Sequence, residues 1–136
     1  MSRQPYLLYV LLLTLIIAAC NSSNIRFRAN SLEAAINGYS VAWRWSLYNE
    51  IEDFHRDRDG GQLQLDTGKL QAVRVTGYRV DEKVVDESVS EATIKGQIEY
   101  YNTSRGTLQK ISFEHQWWYD PELKAWFNAG EIPKFE

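Results

Sequence analysis

The sequence predicts an α+β domain in which one long N-terminal helix packs against a curved antiparallel sheet of about four strands. From Ser31 to Phe54, apolar residues recur at spacings of three and four, which is the period of one helix face. Beyond Asp66 the alternation changes to a period of two, and no proline follows until Pro121, so long strands are permitted. Each apolar face needs a partner, and packing the helix on the sheet provides one.

The predicted helix carries a single apolar stripe that is expected to form part of the core. Ser31 is suited to be its N-cap, and Gly60-Gly61 ends whatever helix remains by that point. Gly38 lies inside the run and costs up to about 1 kcal/mol relative to alanine, which weighs against an uninterrupted helix. The stripe consists of Leu32, Ala35, Ile36, Tyr39, Trp43, Leu47, Ile51 and Phe54.

The clearest strand pair joins residues 92–101 to residues 108–117 through a short loop at residues 103–106. A slip of one residue would place Ile98 opposite Lys110, so burial and charge pairing favour one register. In that register the apolar face pairs Ile98 with Ile111, Gly96 with Phe113, Ile94 with His115 and Ala92 with Trp117, and the other face pairs Glu99 with Lys110 and Lys95 with Glu114.

Two further strands are predicted, at residues 69–80 and 124–128. The second follows a turn at Asp120-Pro121-Glu122, where proline suits the first central position. Pairing across that turn stays open. Residues 81–91 are acidic and are expected to form an exposed connection.

The first twenty residues are typical of an export signal. Arg3 is followed by an unbroken apolar run at residues 7–19 that closes on two alanines. This run is shorter than the roughly 20 residues that a membrane-spanning helix needs. The sole cysteine of the chain, Cys20, comes directly after it.

The stretch Ile17-Ala18-Ala19-Cys20 resembles the lipobox of bacterial lipoproteins. The resemblance implies cleavage before Cys20 and lipidation of its thiol, with two or more acyl chains that give stable membrane anchoring. The chain would then consist of a signal peptide at 1–19, a lipidated cysteine and tether at 20–30, and a folded domain at 31–136. Two alternatives are an ordinary signal peptide cut near Ala19 and an uncleaved anchor.

The residue after the cysteine bears on localisation. By resemblance to lipoproteins, Asn21 rather than aspartate implies export to the outer membrane, on its periplasmic face. The rule varies between bacteria, so the inner membrane remains an alternative.

Composition argues against several classes of partner. The formal net charge is −3, and removing residues 1–19 takes away Arg3 and no acid. No basic stripe suited to phosphates is present, so we expect no nucleic-acid partner. The two histidines, His55 and His115, fall on different predicted elements without ligand spacing, so we expect no metal and no cofactor.

The order of helix, strands and a terminal aromatic hairpin, QWWYDPELKAWF at 116–127, resembles the small cystatin-like or NTF2-like lipoproteins of bacteria. The resemblance covers about residues 31–130 and rests on element order and aromatic placement. An NTF2-like domain typically has more than one helix before its sheet, whereas only one is evident here.

If Glu50 and His115 face one cavity, they form the only acid/base pair that the sequence offers. Ser46, Glu50 and Asp53 fall within or beside the apolar stripe, so these groups are either solvated beyond a helix end near Tyr48 or directed into a polar pocket. In a pocket, burial would raise the pKa of Glu50 and suit it as a general base. His115 shares a face with apolar residues, and a hydrogen-bonded core histidine is the favoured interpretation.

The motif HRDRDGG at residues 55–61 is interpreted as a solvated, charged helix end and turn. The asparagine and glycine-rich loop of a kinase are missing. As a calcium loop it would begin with a histidine and end with aspartate at Asp66, and no partner helix follows.

Several aromatic residues fall away from the predicted core faces. Val41, Trp45 and Tyr48 lie on the helix face opposite the stripe, and Trp118 lies on the charged side of its strand. Exposed aromatics can mark a partner or sugar-stacking surface. The alternative is that the tether or the segment 131–135 covers them.

Three functions follow, in decreasing order of preference. The first is a non-catalytic scaffold or accessory module for an envelope protein complex, using the surfaces at Val41, Trp45, Tyr48 and Trp118. The second is a pocket for a small apolar or aromatic ligand, lined by Trp43, His115, Trp117 and Tyr119. The third is an enzyme that uses Glu50 and His115.

Overall fold

The computed structural model describes the backbone of residues 4–136 and the side chains of residues 6–16 and 20–136. Four strands form one antiparallel sheet in which each strand pairs with the next one along the chain, and the long N-terminal helix packs against it. The predicted α+β class is confirmed. The elements are α1 Gln4–Arg44, α2 Tyr48–Phe54, α3 Thr67–Leu70, β1 Val73–Val85, β2 Glu91–Asn102, β3 Leu108–Asp120 and β4 Ala125–Asn128.

The pairing of β2 with β3 has the predicted register. Ile98 lies opposite Ile111 and Lys95 lies opposite Glu114, as burial and charge pairing required. The sequence left open whether strands pair across the last turn, and they do. Strand β4 pairs with β3 from Trp117 opposite Asn128 to Asp120 opposite Ala125. In that turn the Asp120 carboxylate accepts hydrogen bonds from two following backbone N–H groups.

Strand β1 differs from the prediction at both ends. Residues 69–70 belong to α3, and residues 81–85, expected in an exposed connection, continue the strand. The register shifts between Val75 and Gly77 and again between Val80 and Glu82. Each shift interrupts the alternation of apolar and polar residues, which explains why the predicted strand ends at residue 80 and the observed one at Val85.

Helix α1 begins well before Ser31, so the prediction of an N-cap at Ser31 was wrong. The Ser31 hydroxyl instead donates to the carbonyl of Arg28 one turn earlier. The segment 20–30, predicted as a tether, is helical, and its last part contacts the sheet. The Trp126 indole donates to the Arg28 carbonyl at 3.0 Å, and the Arg28 guanidinium lies 4.7 Å from the centre of the Tyr119 ring.

The predicted helix is also divided near its end. Leu47 N–H donates to the carbonyl of Ala42 and Ser46 N–H to that of Trp43, which is the Schellman pattern that ends a helix. Helix α2 then starts at Tyr48. It folds back on α1 at Gly38, where an added Cβ would lie 3.1 Å from the Phe54 ring, so a glycine permits the close approach.

The core lies between α1 and the inner face of the sheet. The helix contributes Leu32, Ile36, Tyr39, Ala42 and Trp43, and the sheet contributes Val73, Val75, Ala92, Ile94, Ile98, Tyr100, Phe113, Trp117, Tyr119 and Trp126. The C-terminal segment closes one end, because the Phe135 ring packs 5.4 Å from Trp43 and 4.9 Å from Tyr100.

Candidate functional site

The centre of the domain is Tyr39, a fully buried residue on α1 that six other rings surround. The ring centroids lie between 5.4 and 6.2 Å from that of Tyr39, mostly in edge-to-face contact. We call Tyr39 and these rings the Tyr39 cluster; its other members are Trp43, Phe54, His55, Tyr78, His115 and Trp117.

The polar atoms of the Tyr39 cluster meet around the Tyr39 hydroxyl. This oxygen lies 2.7 Å from Nε2 of His55, in hydrogen-bond contact. Burial raises the pKa of Tyr39, while Trp43 and the fully buried Asn128 act in the opposite direction. The phenol therefore stays protonated at any ordinary pH.

The two histidines lie together although they are far apart in sequence. Their ring centroids are 6.5 Å apart, and the exposed fractions of His55 and His115 are 3% and 1%. Burial lowers the pKa of each to about 4, and the neighbouring His55 lowers that of His115 further. Both rings are neutral at pH 7.

His115 is a core residue, as the favoured interpretation held, but it lacks the expected hydrogen bond. Its ring stacks on Phe113 with centroids 4.7 Å apart. Neither ring nitrogen has a hydrogen-bond partner of good geometry among the described residues. A polar group without a well-formed hydrogen bond costs free energy in the core, and the stacking on Phe113 helps to hold this ring in place.

The residues predicted to line a ligand pocket are mostly packed against one another. Trp43, His115 and Trp117 all belong to the Tyr39 cluster, whereas Tyr119 packs on Trp126 with ring centroids 5.5 Å apart. His115 also lines a surface depression between β3 and residues 131–134. Aromatic rings thus fill the space between α1 and the sheet.

The acid/base pair suggested by the sequence is not assembled. Glu50 is exposed on α2 and lines open depressions, one of which also includes Asp53 and Phe54. His115 is buried in the Tyr39 cluster, so the two groups face different environments. Glu50 and Asp53 are exposed, as one of the two alternatives held, but they lie on α2 rather than beyond the end of a helix, and Ser46 is half-buried between the two helices.

The motif at residues 55–61 is only partly solvated, and the expectation for His55 was wrong. The backbone after α2 runs alongside β4, where Arg56 N–H donates to the carbonyl of Asn128 at 3.2 Å. This pairing turns His55 inward, while Asp57 and Asp59 stay exposed. Because the motif is rich in charged residues, its composition predicts a solvated turn and does not indicate that His55 points inward.

The part of the chain that the structure describes contains no group of three or more histidine, cysteine, aspartate or glutamate side chains arranged to hold a metal ion. The histidine pair alone lacks a third such ligand.

Two of the four predicted partner residues are exposed. Trp45 is 73% exposed and Val41, one helical turn earlier, is 38% exposed. Leu47 is 39% exposed, so its predicted place in the core stripe was wrong. Tyr48 is half-buried and its hydroxyl donates to the carbonyl of Leu70 at 2.9 Å. We call Val41, Trp45 and Leu47 the Trp45 patch.

Trp118 does not form an open aromatic surface. Its indole donates to the carbonyl of Arg56 at 2.8 Å, and its ring packs 5.5 Å from that of Phe127. The cover therefore comes from the chain after α2 and from β4, rather than from the tether or residues 131–135 as the alternative proposed.

The N-terminal half of α1 contrasts with the rest of the helix. Its large apolar side chains at residues 6–16 are 56–75% exposed, and Cys20 is also exposed. The helix is long and apolar enough there to cross a membrane, although a signal sequence has the same properties. Arg3 and the side chains of Ile17, Ala18 and Ala19 in the predicted lipobox lie outside the described residues.

Comparison with family models, with curated proteins and with solved structures finds no match for this chain.

Proposed function

We propose that this chain is a lipid-anchored, non-catalytic binding module of the bacterial cell envelope. The observation that carries the proposal is the change of environment along α1. Large apolar side chains are exposed from Tyr6 to Ile16, whereas Leu32, Ile36 and Tyr39 on the same helix are buried against the sheet. An exposed apolar run of that size is not part of the domain core, and it suits an export signal that is removed before the domain is anchored.

Cys20 lies at the transition between these two halves. Export of the apolar run followed by cleavage before Cys20 would place the lipidated residue at the membrane surface. At 1.5 Å per residue, Arg28, which contacts the sheet, is about 12 Å further along the helix. The domain would thus be held close to the membrane, and Asn21 favours the outer membrane.

Binding rather than catalysis is supported by the placement of the titratable groups. The neutral His115 is enclosed by rings, and the exposed Glu50 does not approach it in any shared depression. The element order of residues 31–130, which resembles cystatin-like or NTF2-like lipoproteins, is also compatible with a binding role.

The Trp45 patch is the surface that we propose for an envelope protein partner. Trp45 lies about 37 Å along α1 from Cys20 by the helical rise, so the patch would be displayed away from the anchor. A largely exposed tryptophan with apolar neighbours is the residue type that most often contributes strongly to protein interfaces.

Anchoring is tested by expressing the full chain in a bacterium and measuring the mass of its N-terminal peptide. We expect the peptide to begin at Cys20 and to carry the added mass of acyl chains. Cys20→Ser should abolish the added mass and leave residues 1–19 attached. A wild-type peptide that retains residues 1–19, or an unmodified Cys20, would contradict the proposal.

The partner surface is tested separately with a photo-crosslinking amino acid placed at position 45 in living cells. We expect a discrete protein adduct that is lost when Val41→Asp is added. The matched control is the same probe at Leu123, which is 54% exposed on the β3–β4 turn. Equal adducts at both positions would argue against a specific surface at Trp45.

A further inference from the structure

A groove runs beside the Tyr39 cluster, between residues 63–73 on one side and residues 132–135 on the other. Its volume is about 360 Å³. This value falls near the lower end of the range of small-molecule sites, about 300–1,000 Å³. The groove lies outside the ring-filled space that the sequence predicted as a pocket.

Both walls of the groove are fixed by contacts to the rest of the domain. Tyr48 on α2 donates to the carbonyl of Leu70, and the Glu52 carboxylate accepts from the backbone N–H of Leu65 at 2.7 Å. The opposite wall is held by Phe135, whose ring packs on Trp43. The groove is therefore formed in the free protein, which lowers the ordering cost of binding.

The lining of the groove is apolar below and charged at its edge. Its apolar members are Leu63, Leu65, Leu70, Val73, Ile132 and Phe135. Two lysines and one acid also line it: Lys69 pairs with Asp66 at 3.6 Å, whereas Lys134 makes no ion pair among the described residues. Two lysines and one carboxylate give the lining a net charge of +1; Glu114 and Glu131 share the neighbouring depression with Lys134 but do not line the groove itself.

We propose that this groove binds a single-chain amphipathic anion, namely a long-chain fatty acid. The alkyl chain would lie between the leucine side chains and Phe135, and the carboxylate would pair with Lys134. Each methylene group buried in such a cleft adds to the binding, so a long chain supplies most of the affinity. The lysine provides discrimination between the acid and an uncharged chain of equal length.

This inference does not depend on lipidation of Cys20, because the groove is formed by residues beyond α1 and by the C-terminal segment. The test must nevertheless separate the groove from the exposed apolar residues 6–16, which would also attract an alkyl chain. A readout that gives the position of the bound chain achieves this separation.

The experiment uses the full chain in lipid nanodiscs with a diazirine-bearing palmitic acid as the probe, followed by mapping of labelled peptides by mass spectrometry. We expect labels on peptides that contain residues 63–73 and 132–135. Lys134→Glu should reduce that labelling by roughly five-fold, in line with loss and reversal of one exposed charge contact.

Three controls make the outcome decisive. Lys124→Glu, on the β3–β4 turn, should leave labelling unchanged. A diazirine-bearing alcohol of the same chain length should label wild type and Lys134→Glu equally, whereas Leu63→Ser should weaken labelling by both probes. Labels confined to residues 6–16, or equal labelling by the acid in wild type and Lys134→Glu, would overturn the proposal. Lys134→Ala provides a second variant if the charge reversal disturbs folding.

Discussion

The Tyr39 hydroxyl and Nε2 of His55 lie 2.7 Å apart at the centre of the domain, and they join α1 to the chain that follows α2. Both residues are almost completely buried. A hydrogen bond in such surroundings is costly to break, since water cannot replace the lost partner. This contact also holds His55 within 6.5 Å of His115, and so links the helices to β3.

Tyr39→Phe should lower the free energy of unfolding by about 1–3 kcal/mol, because it leaves Nε2 of His55 buried without a partner. Urea denaturation measures this as a lower midpoint with an unchanged slope. The control is Tyr101→Phe, since Tyr101 is half-buried and its hydroxyl makes no hydrogen bond in the described part of the chain. Equal midpoints for the two variants would contradict a structural role for the hydroxyl.

The stability of the domain should fall as the pH decreases from about 6.5 to 4. The pKa of His55 and of His115 is lowered from 6.5 to about 4 in the folded state, chiefly by burial, so the unfolded chain binds these protons first. Protonation therefore lowers the free energy of unfolding between pH 6.5 and pH 4. At about pH 4 the loss is on the order of 3 kcal/mol per histidine.

The measurement is the urea midpoint at pH 7.5, 6 and 5, compared between wild type and His115→Phe. The variant removes one titrating group and should show a shallower dependence on pH. Asp86 does not interfere, because hydrogen bonds from Ser88 and from the backbone of the turn lower the pKa of its carboxyl, and its contribution is lost only at more acidic pH. A wild-type midpoint that is constant from pH 7.5 to 5 would contradict the prediction.

The parts of the fold that could be predicted are those where several local signals agree. The register of β2 and β3 followed from apolar alternation and from the pairing of Lys95 with Glu114. The end of β1 could not be predicted, because the irregularity near Asp81 interrupts the alternation and the strand lies at the edge of the sheet. The exposed residues at the end of this edge strand have the composition of a loop, so composition alone does not distinguish the two.

The candidate site was predictable only in part. Of the four predicted pocket residues, Trp43, His115 and Trp117 each contact Tyr39, whereas Tyr119 packs on Trp126. Tyr39 belonged to the same stripe as Trp43, but its position at the centre depends on the chain after α2 turning His55 inward. That turn is made by a tertiary contact with β4, which leaves no local pattern in the sequence.

Gly96→Ala should be among the most damaging substitutions in the sheet. A Cβ at Gly96 would overlap the backbone carbonyl of Arg79 on β1 and approach the Phe113 ring to 2.8 Å. Because backbone atoms cannot rotate away, we expect a loss of about 3 kcal/mol or more of unfolding free energy. Gly77→Ala is the control, since its nearest neighbour is the flexible Glu99 carboxylate at 3.4 Å. Similar unfolding midpoints for the two variants would mean that β1 and β2 are further apart at Gly96.

Ser46→Gly should stabilise the domain, because Ser46 ends α1 in the left-handed region with a φ of 56°. Glycine reaches this conformation without the Cβ penalty and is the usual residue at this position of a Schellman motif. We expect the free energy of unfolding to increase by about 0.5–1 kcal/mol. The gain is smaller than the full cost of a Cβ in the left-handed region, because glycine also gives the unfolded chain more conformational freedom. Ser46→Ala keeps the Cβ and should change stability little. A loss of stability in Ser46→Gly alone would indicate that the serine side chain, rather than the backbone turn, holds the junction between α1 and α2.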